Sequence, residues 1–209
     1  VFGTEDKRHI VACDPAIGGD ECVLYYMVNN KIEDALILHI NDTQKIGAEA
    51  LIFMLKHDCN YYIGDAIGIG KGVNDYIRAS KKYVIDLISS ATAQDPEHYS
   101  NVRSEIWSYA ATKIHRREIP YPEDEKLRRQ LCSVKYKQGA NKFELVKKEI
   151  TKRELGSSPD RADAFIYGIW GISQVPLADP KANDFKRIVF PAPQPGYGWQ
   201  EAQQGIYNG

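Results

Sequence analysis

His9–Ile10–Val11–Ala12–Cys13–Asp14–Pro15–Ala16–Ile17–Gly18–Gly19–Asp20 joins an apolar run to a carboxylate, a proline and a glycine pair. That order is what a buried strand ending in a tight turn requires. Asp14 therefore sits at the mouth of a core strand. Leaving an uncompensated charge there costs roughly several kcal/mol, so such a group usually has a cation or donor beside it. The arrangement recurs at Tyr61–Tyr62–Ile63–Gly64–Asp65, and Asp160 and Asp163 open a helix beginning at Ser158–Pro159. Carboxylates so far apart in the chain can meet only through folding.

Outward from Asp14, the first forty residues read as an antiparallel meander. Ile10–Cys13 is followed by Glu21–Val28, and Asn29–Asn30 turns the chain into Lys31–Ile40. Ile46, Ala50, Leu51 and Met54 then fall on one helical face. Asn60–Gly64 reads as a strand, Gly64–Gly72 as a glycine loop, Val73–Ser80 as a helix and Tyr83–Leu87 as a strand. Helices are expected over 101–117 and from Glu123 to Lys137, with a short strand at Phe143–Val146. Ser158 fits an N-cap, with Pro159 at the first helical position and the helix continuing through Ala162–Ser173. The order predicts an α/β sheet whose early meander is extended by right-handed crossovers. One folded domain is expected over 1–175. The proline-rich segment 176–209 is expected to be an extended or partly disordered C-terminal arm.

Composition fits a globular chain: 209 residues, 43% hydrophobic and 26% charged, with a net charge of −1. No apolar run is long enough for a membrane span, and no leader reads as a signal peptide. The first residue is Val1, which fits an excised or processed chain. Cys13, Cys22, Cys59 and Cys132 lack C-x-x-C spacing and read as reduced packing residues in a cytoplasmic-type compartment. Charge is nevertheless segregated. Between Lys126 and Glu154 ten basic residues face three acids, a local +7, with Lys113, His115, Arg116 and Arg117 just upstream. A solvated helix face and a phosphate-tracking surface both fit this segregation. On the second reading Arg128, Arg129, Lys147, Lys148, Lys152 and Arg153 contact nucleic acid.

In the expected sheet the first strand is central and the strand after the first crossover lies beside it, making Asp14 and Asp65 neighbours. Asp163 would enter from a packed helix, with Asp160 one turn away on the same face. Singly, Asp14 could be a turn former and Asp160 a helix-dipole carboxylate. Together they form a hard-oxygen set suited to Mg2+ or Mn2+. Two such ions about 4 Å apart can drive phosphodiester hydrolysis.

Three segments, Asp14–Pro15–Ala16–Ile17–Gly18–Gly19–Asp20, Gly64–Asp65–Ala66–Ile67–Gly68–Ile69–Gly70–Lys71–Gly72–Val73 and Ser158–Pro159–Asp160–Arg161–Ala162–Asp163–Ala164, resemble motifs of the nuclease domain of tailed-bacteriophage large terminases. The resemblance spans roughly 8–173. It implies an RNase H-like (RuvC or ribonuclease H type) mixed five-stranded sheet with flanking helices. It also implies a two-metal endonuclease that cuts concatemeric double-stranded DNA during genome packaging in the host cytoplasm. Asp14, Asp65 and Asp163 would be the catalytic metal ligands and Asp160 an auxiliary ligand; Lys147 and Lys148 could contact phosphate. The family also carries a stretch like Tyr99–Ser100–Asn101–Val102–Arg103–Ser104–Glu105–Ile106–Trp107, to which no chemistry is assigned. Implied partners in the complete motor are an ATPase domain, a portal protein and a small terminase subunit, with the isolated domain a monomer.

Gly68–Ile69–Gly70–Lys71–Gly72 lacks the G-x-x-x-x-G-K-[ST] pattern of an ATPase loop, so no motor activity is expected. The five histidines show no i, i+4 pairing, against a zinc hydrolase, and Ser89–Ser90 lacks the glycines of a nucleophile elbow. Two alternatives stay open: a different RNase H-like nuclease, of junction-resolvase or integrase type, and a non-catalytic DNA- or portal-binding module.

Overall fold

β1 (His9–Asp14) is buried on both faces, as its unbroken apolar run demands. Ile10 and Ala12 enter one core, Val11 and Cys13 the other. A strand covered twice must be central. In the computed structural model, which describes residues 7–137 and 141–176, β1 is the middle strand of a five-stranded sheet. On one side lie β2 (Cys22–Val28) and β3 (Lys31–Leu38); on the other lie β4 (Tyr61–Asp65) and β5 (Tyr83–Leu87). The order is β3-β2-β1-β4-β5, antiparallel in the meander and parallel from β1 to β5. The expected mixed sheet is therefore what forms.

Register places the first two carboxylates. Cys13 pairs with Gly64 across the parallel β1–β4 ladder, so Asp14 and Asp65 are the next residues along at the same end of the sheet. Strand alternation puts both on the face of Ala12 and Ile63.

α1 (Thr43–Lys56) and α2 (Ile69–Ala79) cover the opposite face. Asp42 starts α1 by accepting from the amides of Gln44 (2.9 Å) and Lys45 (3.3 Å). The carboxylate face holds α3 (Val102–His115), α4 (Glu125–Ser133), the short α5 (Lys148–Leu155) and α6 (Asp160–Gln174). Asn101 caps α3 through Ser104 and Asp124 caps α4 through Leu127. α6 is buried along nearly its whole length, between the sheet on one side and α3 and α4 on the other. Two glycines permit that approach. A Cβ on Gly168 would lie 2.1 Å from Met27 Sδ, and one on Gly171 would lie 2.7 Å from Ile10 Cδ1.

Several boundaries differ from the sequence expectation. α2 begins at Ile69, inside the expected glycine loop, because Gly68 adopts a positive φ of 58° and Gly70 tucks against the Asp65 carbonyl. α4 stops at Ser133, since Val134 is extended and the chain turns to pair Tyr136 with Leu145. The expected strand Phe143–Val146 is reduced to two single bridges, Tyr99 with Phe143 and Tyr136 with Leu145. α5 was not expected at all. At α6, Pro159 rather than Ser158 is the cap residue, and the Ser158 hydroxyl binds the Asp160 carboxylate instead of a backbone amide. All four cysteines are free thiols, three of them buried. No helix among the described residues is long and apolar enough to cross a membrane. The expected arm, 176–209, lies outside the described residues except for Pro176.

Candidate metal centre

Asp14 ends β1, while Asp160 and Asp163 stand in the first turn of α6. Because α6 settles directly on β1 and β4, its first turn is delivered to the strand ends. Asp14, Asp160 and Asp163 are at most 5% exposed. One cation meets all three. Lys148, the first residue of α5, places its ammonium 2.9 Å from Asp14 Oδ2, 3.0 Å from Asp163 Oδ2 and 3.3 Å from Asp160 Oδ1.

The electrostatics follow from that packing. Burial pushes the Asp14 carboxyl up to about 7; Lys148 pulls it down, and the charges of Asp163 and Asp160 add to the rise. Burial also opposes ionisation of Asp163, but Lys148, Arg103 and the Trp107 indole outweigh it and hold that group below the ordinary carboxylate range. For Lys148, burial favours the neutral amine. The facing Asp14 and Asp163 overcome it and keep the ammonium charged well beyond its usual range.

Each carboxylate has its own supports. Asp160 Oδ1 accepts from the Ser158 hydroxyl and Oδ2 from the Glu21 amide at 3.1 Å. Asp163 Oδ1 accepts from Trp107 Nε1 at 3.0 Å and from Arg103 Nη2 at 3.4 Å. Its Oδ2 is buried and faces the Lys148 ammonium at 3.0 Å, with no other donor beside it among the described residues. Asp65 stands further out. Its oxygens accept from the Ile67 amide (3.0 Å) and the Ser89 hydroxyl (3.1 Å), and burial raises its carboxyl. The cleft beside the cluster is lined by Asp14, Pro15, Asp20, Ile69, Lys148 and Asp160, among others.

These residues fit a divalent cation. Four carboxylates face only two cationic side chains, Lys148 and Arg103, and the buried Oδ2 of Asp163 has no donor beside it other than the Lys148 ammonium among the described residues. All four acids present hard oxygens. Among the described residues no group of three or more acids, histidines or cysteines is already arranged as a metal cage, and three of the acids converge instead on the ammonium.

The other expected contacts scatter. Lys152 pairs with Asp20 at 2.6 Å on the rim of the cleft. Lys147 and Arg153 are exposed at the two ends of α5. Arg128 lies over the Tyr121 ring, and Arg129 is exposed near Leu155 and Ser157. Sequence reasoning missed Glu21, Ser89 and Gln130, whose buried amide bridges the Ser158 carbonyl and the Ala162 amide at the start of α6. No local pattern marks them. Arg103 and Trp107 lay in a stretch already singled out, and a buried indole, which is a donor only, must find an acceptor.

No protein-family model matches the chain, and no curated protein does. Solved structures do. The nuclease domain of the large terminase subunit gp2 of bacterial virus Sf6 superposes with a TM-score of 0.61 at 18% identity, covering 78% of this chain and 87% of that one. A mutant of that Sf6 domain with calcium gives 0.63, also at 18% identity, covering 78% and 88%. The large terminase nuclease from thermophilic phage G20c with bound magnesium gives 0.59 at 14% identity, covering 79% and 82%. The chain thus has the RNase H-like fold of those domains.

Proposed function

We propose that this chain is the divalent-metal-dependent endonuclease domain of a phage large terminase. The observation that carries the reading is the convergence of Asp14, Asp160 and Asp163 on one cation position within 3.3 Å, at the strand ends of that fold. Solved neighbours of the same fold hold calcium, manganese, magnesium or cobalt, which supports a divalent ion here. Asp14, Asp65 and Asp163 would hold it, with Asp160 as auxiliary. Bound Mg2+ or Mn2+, in a pair when DNA is present, supplies Lewis acidity toward a phosphodiester and makes water a better nucleophile.

The chain's own residues do the rest. Asp163 offers one oxygen with no other donor, so it is the stronger ligand of the α6 pair; both Asp160 oxygens already accept protein hydrogen bonds. Lys148 neutralises the cluster while no ion is bound. Displaced toward the cleft, its ammonium can meet a phosphate. Lys147, Lys152 and Arg153 extend that cationic track along α5, with Arg128 and Arg129 on α4. The substrate is concatemeric double-stranded DNA, and the partners in a complete motor are an ATPase domain, a portal protein and a small terminase subunit in the host cytoplasm. Alone, residues 1–175 act as a monomeric nuclease domain with 176–209 as its arm.

The test is cleavage of linear duplex DNA. Mn2+ should support it, EDTA should stop it, and Asp14→Asn or Asp163→Asn should reduce it at least a hundredfold while the fold persists. Undiminished cutting in EDTA sinks the metal mechanism; selective cutting of branched DNA favours the resolvase reading. Binding without cutting in any metal favours the non-catalytic one.

A further inference from the structure

The stretch Tyr99–Trp107 is not used by the chemistry above, yet it touches both the segment leading to Lys148 and the Asp163 carboxylate. Its Ser104 hydroxyl accepts from the Leu145 amide at 3.2 Å, and Arg103 Nη1 donates to the Val146 carbonyl at 3.4 Å. The Ser100 amide donates to the Phe143 carbonyl at 3.1 Å. These bonds fix segment 143–146, whose continuation delivers Lys148. One helical turn away, Trp107 Nε1 and Arg103 Nη2 both donate to the same oxygen of Asp163. The Arg103 guanidinium also lies over the Trp107 ring, 5.7 Å from its centroid, a cation–π contact that helps hold the two donors together.

The distribution over the two oxygens is the informative feature. Two donors from α3 occupy Asp163 Oδ1, whereas Oδ2 is buried and has only the Lys148 ammonium beside it among the described residues. Trp107 is 7% exposed and the Arg103 side chain 13% exposed, so neither is placed to grip a DNA backbone. Two donors on one carboxylate oxygen oppose rotation of the group to share both oxygens with a cation. Its other oxygen then points where Asp14 Oδ2 also points, at the ammonium of Lys148.

On the nuclease reading above, we propose that Trp107 and Arg103 are positioning residues that lock Asp163 as a one-oxygen metal ligand. They raise metal affinity by preorganising Oδ2 and do not touch substrate. Outer donors of this kind are typically worth ten- to hundredfold in metal affinity.

The experiment is Mn2+ binding by calorimetry to the full chain and to Trp107→Phe, which keeps an aromatic ring and removes only the indole donor. Thermal unfolding confirms the fold of each. Trp107→Phe should bind Mn2+ about tenfold or more weakly, and DNA cleavage should recover toward the unmodified rate as Mn2+ is raised, a change in metal requirement rather than in limiting rate. Arg103→Lys, which keeps the charge, should lose less than Arg103→Ala. An Mn2+ affinity within twofold of the unmodified chain overturns the proposal, as does a lost limiting rate that excess Mn2+ does not restore.

A second readout needs no variant. The Trp107 indole N–H resonance should shift as Mg2+ is titrated into the unmodified protein, while that of Trp170 stays in place. An unmoved Trp107 resonance at saturating Mg2+ overturns the positioning role alone. Failure of the unmodified chain to bind either ion overturns the nuclease reading and this one with it.

Discussion

Asp14 is held between burial and an ammonium, and burial wins. Its carboxyl is pushed up to about 7, against an ordinary value near 3.9 in the unfolded chain. The folded protein therefore retains a proton at Asp14 that the unfolded chain has lost between about pH 4 and 7. Its contribution to stability is fully present below about pH 4 and is lost as pH rises through 7. Asp163 is shifted the other way, so its contribution is present at neutral pH and lost only as pH falls below the ordinary carboxylate range. In EDTA, Asp14→Asn should gain melting temperature relative to the unmodified chain as pH is raised from 4.5 to 7.5. A difference that stays constant across that range contradicts the placement of Asp14 in a buried anionic cluster. Most of this was legible in the sequence, because a carboxylate closing an apolar strand is a local signal. The position of Lys148 was not: which cation faces a buried acid depends on packing between segments 134 residues apart.

At the scale of elements, α6 does the most to shape the site. It brings Asp160 and Asp163 to the strand ends only because Gly168 and Gly171 let its backbone press on Met27, Ala12, Ile10 and Ile63. Gly168→Ala would put a methyl where Met27 Sδ sits, and overpacking of that kind costs about 1–3 kcal/mol. Denaturant unfolding should report a loss of that size, together with weaker Mn2+ binding as the first turn of α6 lifts. A neutral or stabilising outcome contradicts the close approach. β1, β4, β5 and α6 could be read from apolar runs and spacing, since tertiary burial writes itself into those patterns. α5 could not. It has eight residues, a single buried one, Thr151, and no apolar stripe, so nothing in Lys148–Leu155 distinguishes a helix from a charged loop. At α4, by contrast, helix-compatible residues run beyond Ser133 but pairing of Tyr136 with Leu145 takes the chain away.

Over the whole molecule, the local charge of +7 overstates the grip on a polyanion. Lys135 pairs with Glu154, Lys137 with Glu144 and Lys152 with Asp20. Lys147, Arg153 and Arg129 are exposed with no ion-pair partner among the described residues. Counterion release then predicts a modest salt dependence of DNA binding, with a log–log slope that drops by roughly one for each phosphate contact removed. Changing these three residues to Ala should weaken binding similarly on unrelated sequences and flatten the slope by about two to three. An unchanged slope would mean that DNA tracks another face.

The most direct test of a metal held by Asp14 and Asp163 is diffraction from crystals soaked in Mn2+, recorded at the manganese absorption edge. An anomalous peak is expected between Asp14 and Asp163 at coordination distance from Asp163 Oδ2, with the Lys148 ammonium displaced from the cluster. Lys148 still paired with Asp14 and Asp163, and no peak at any Mn2+ concentration the crystals withstand, would contradict it.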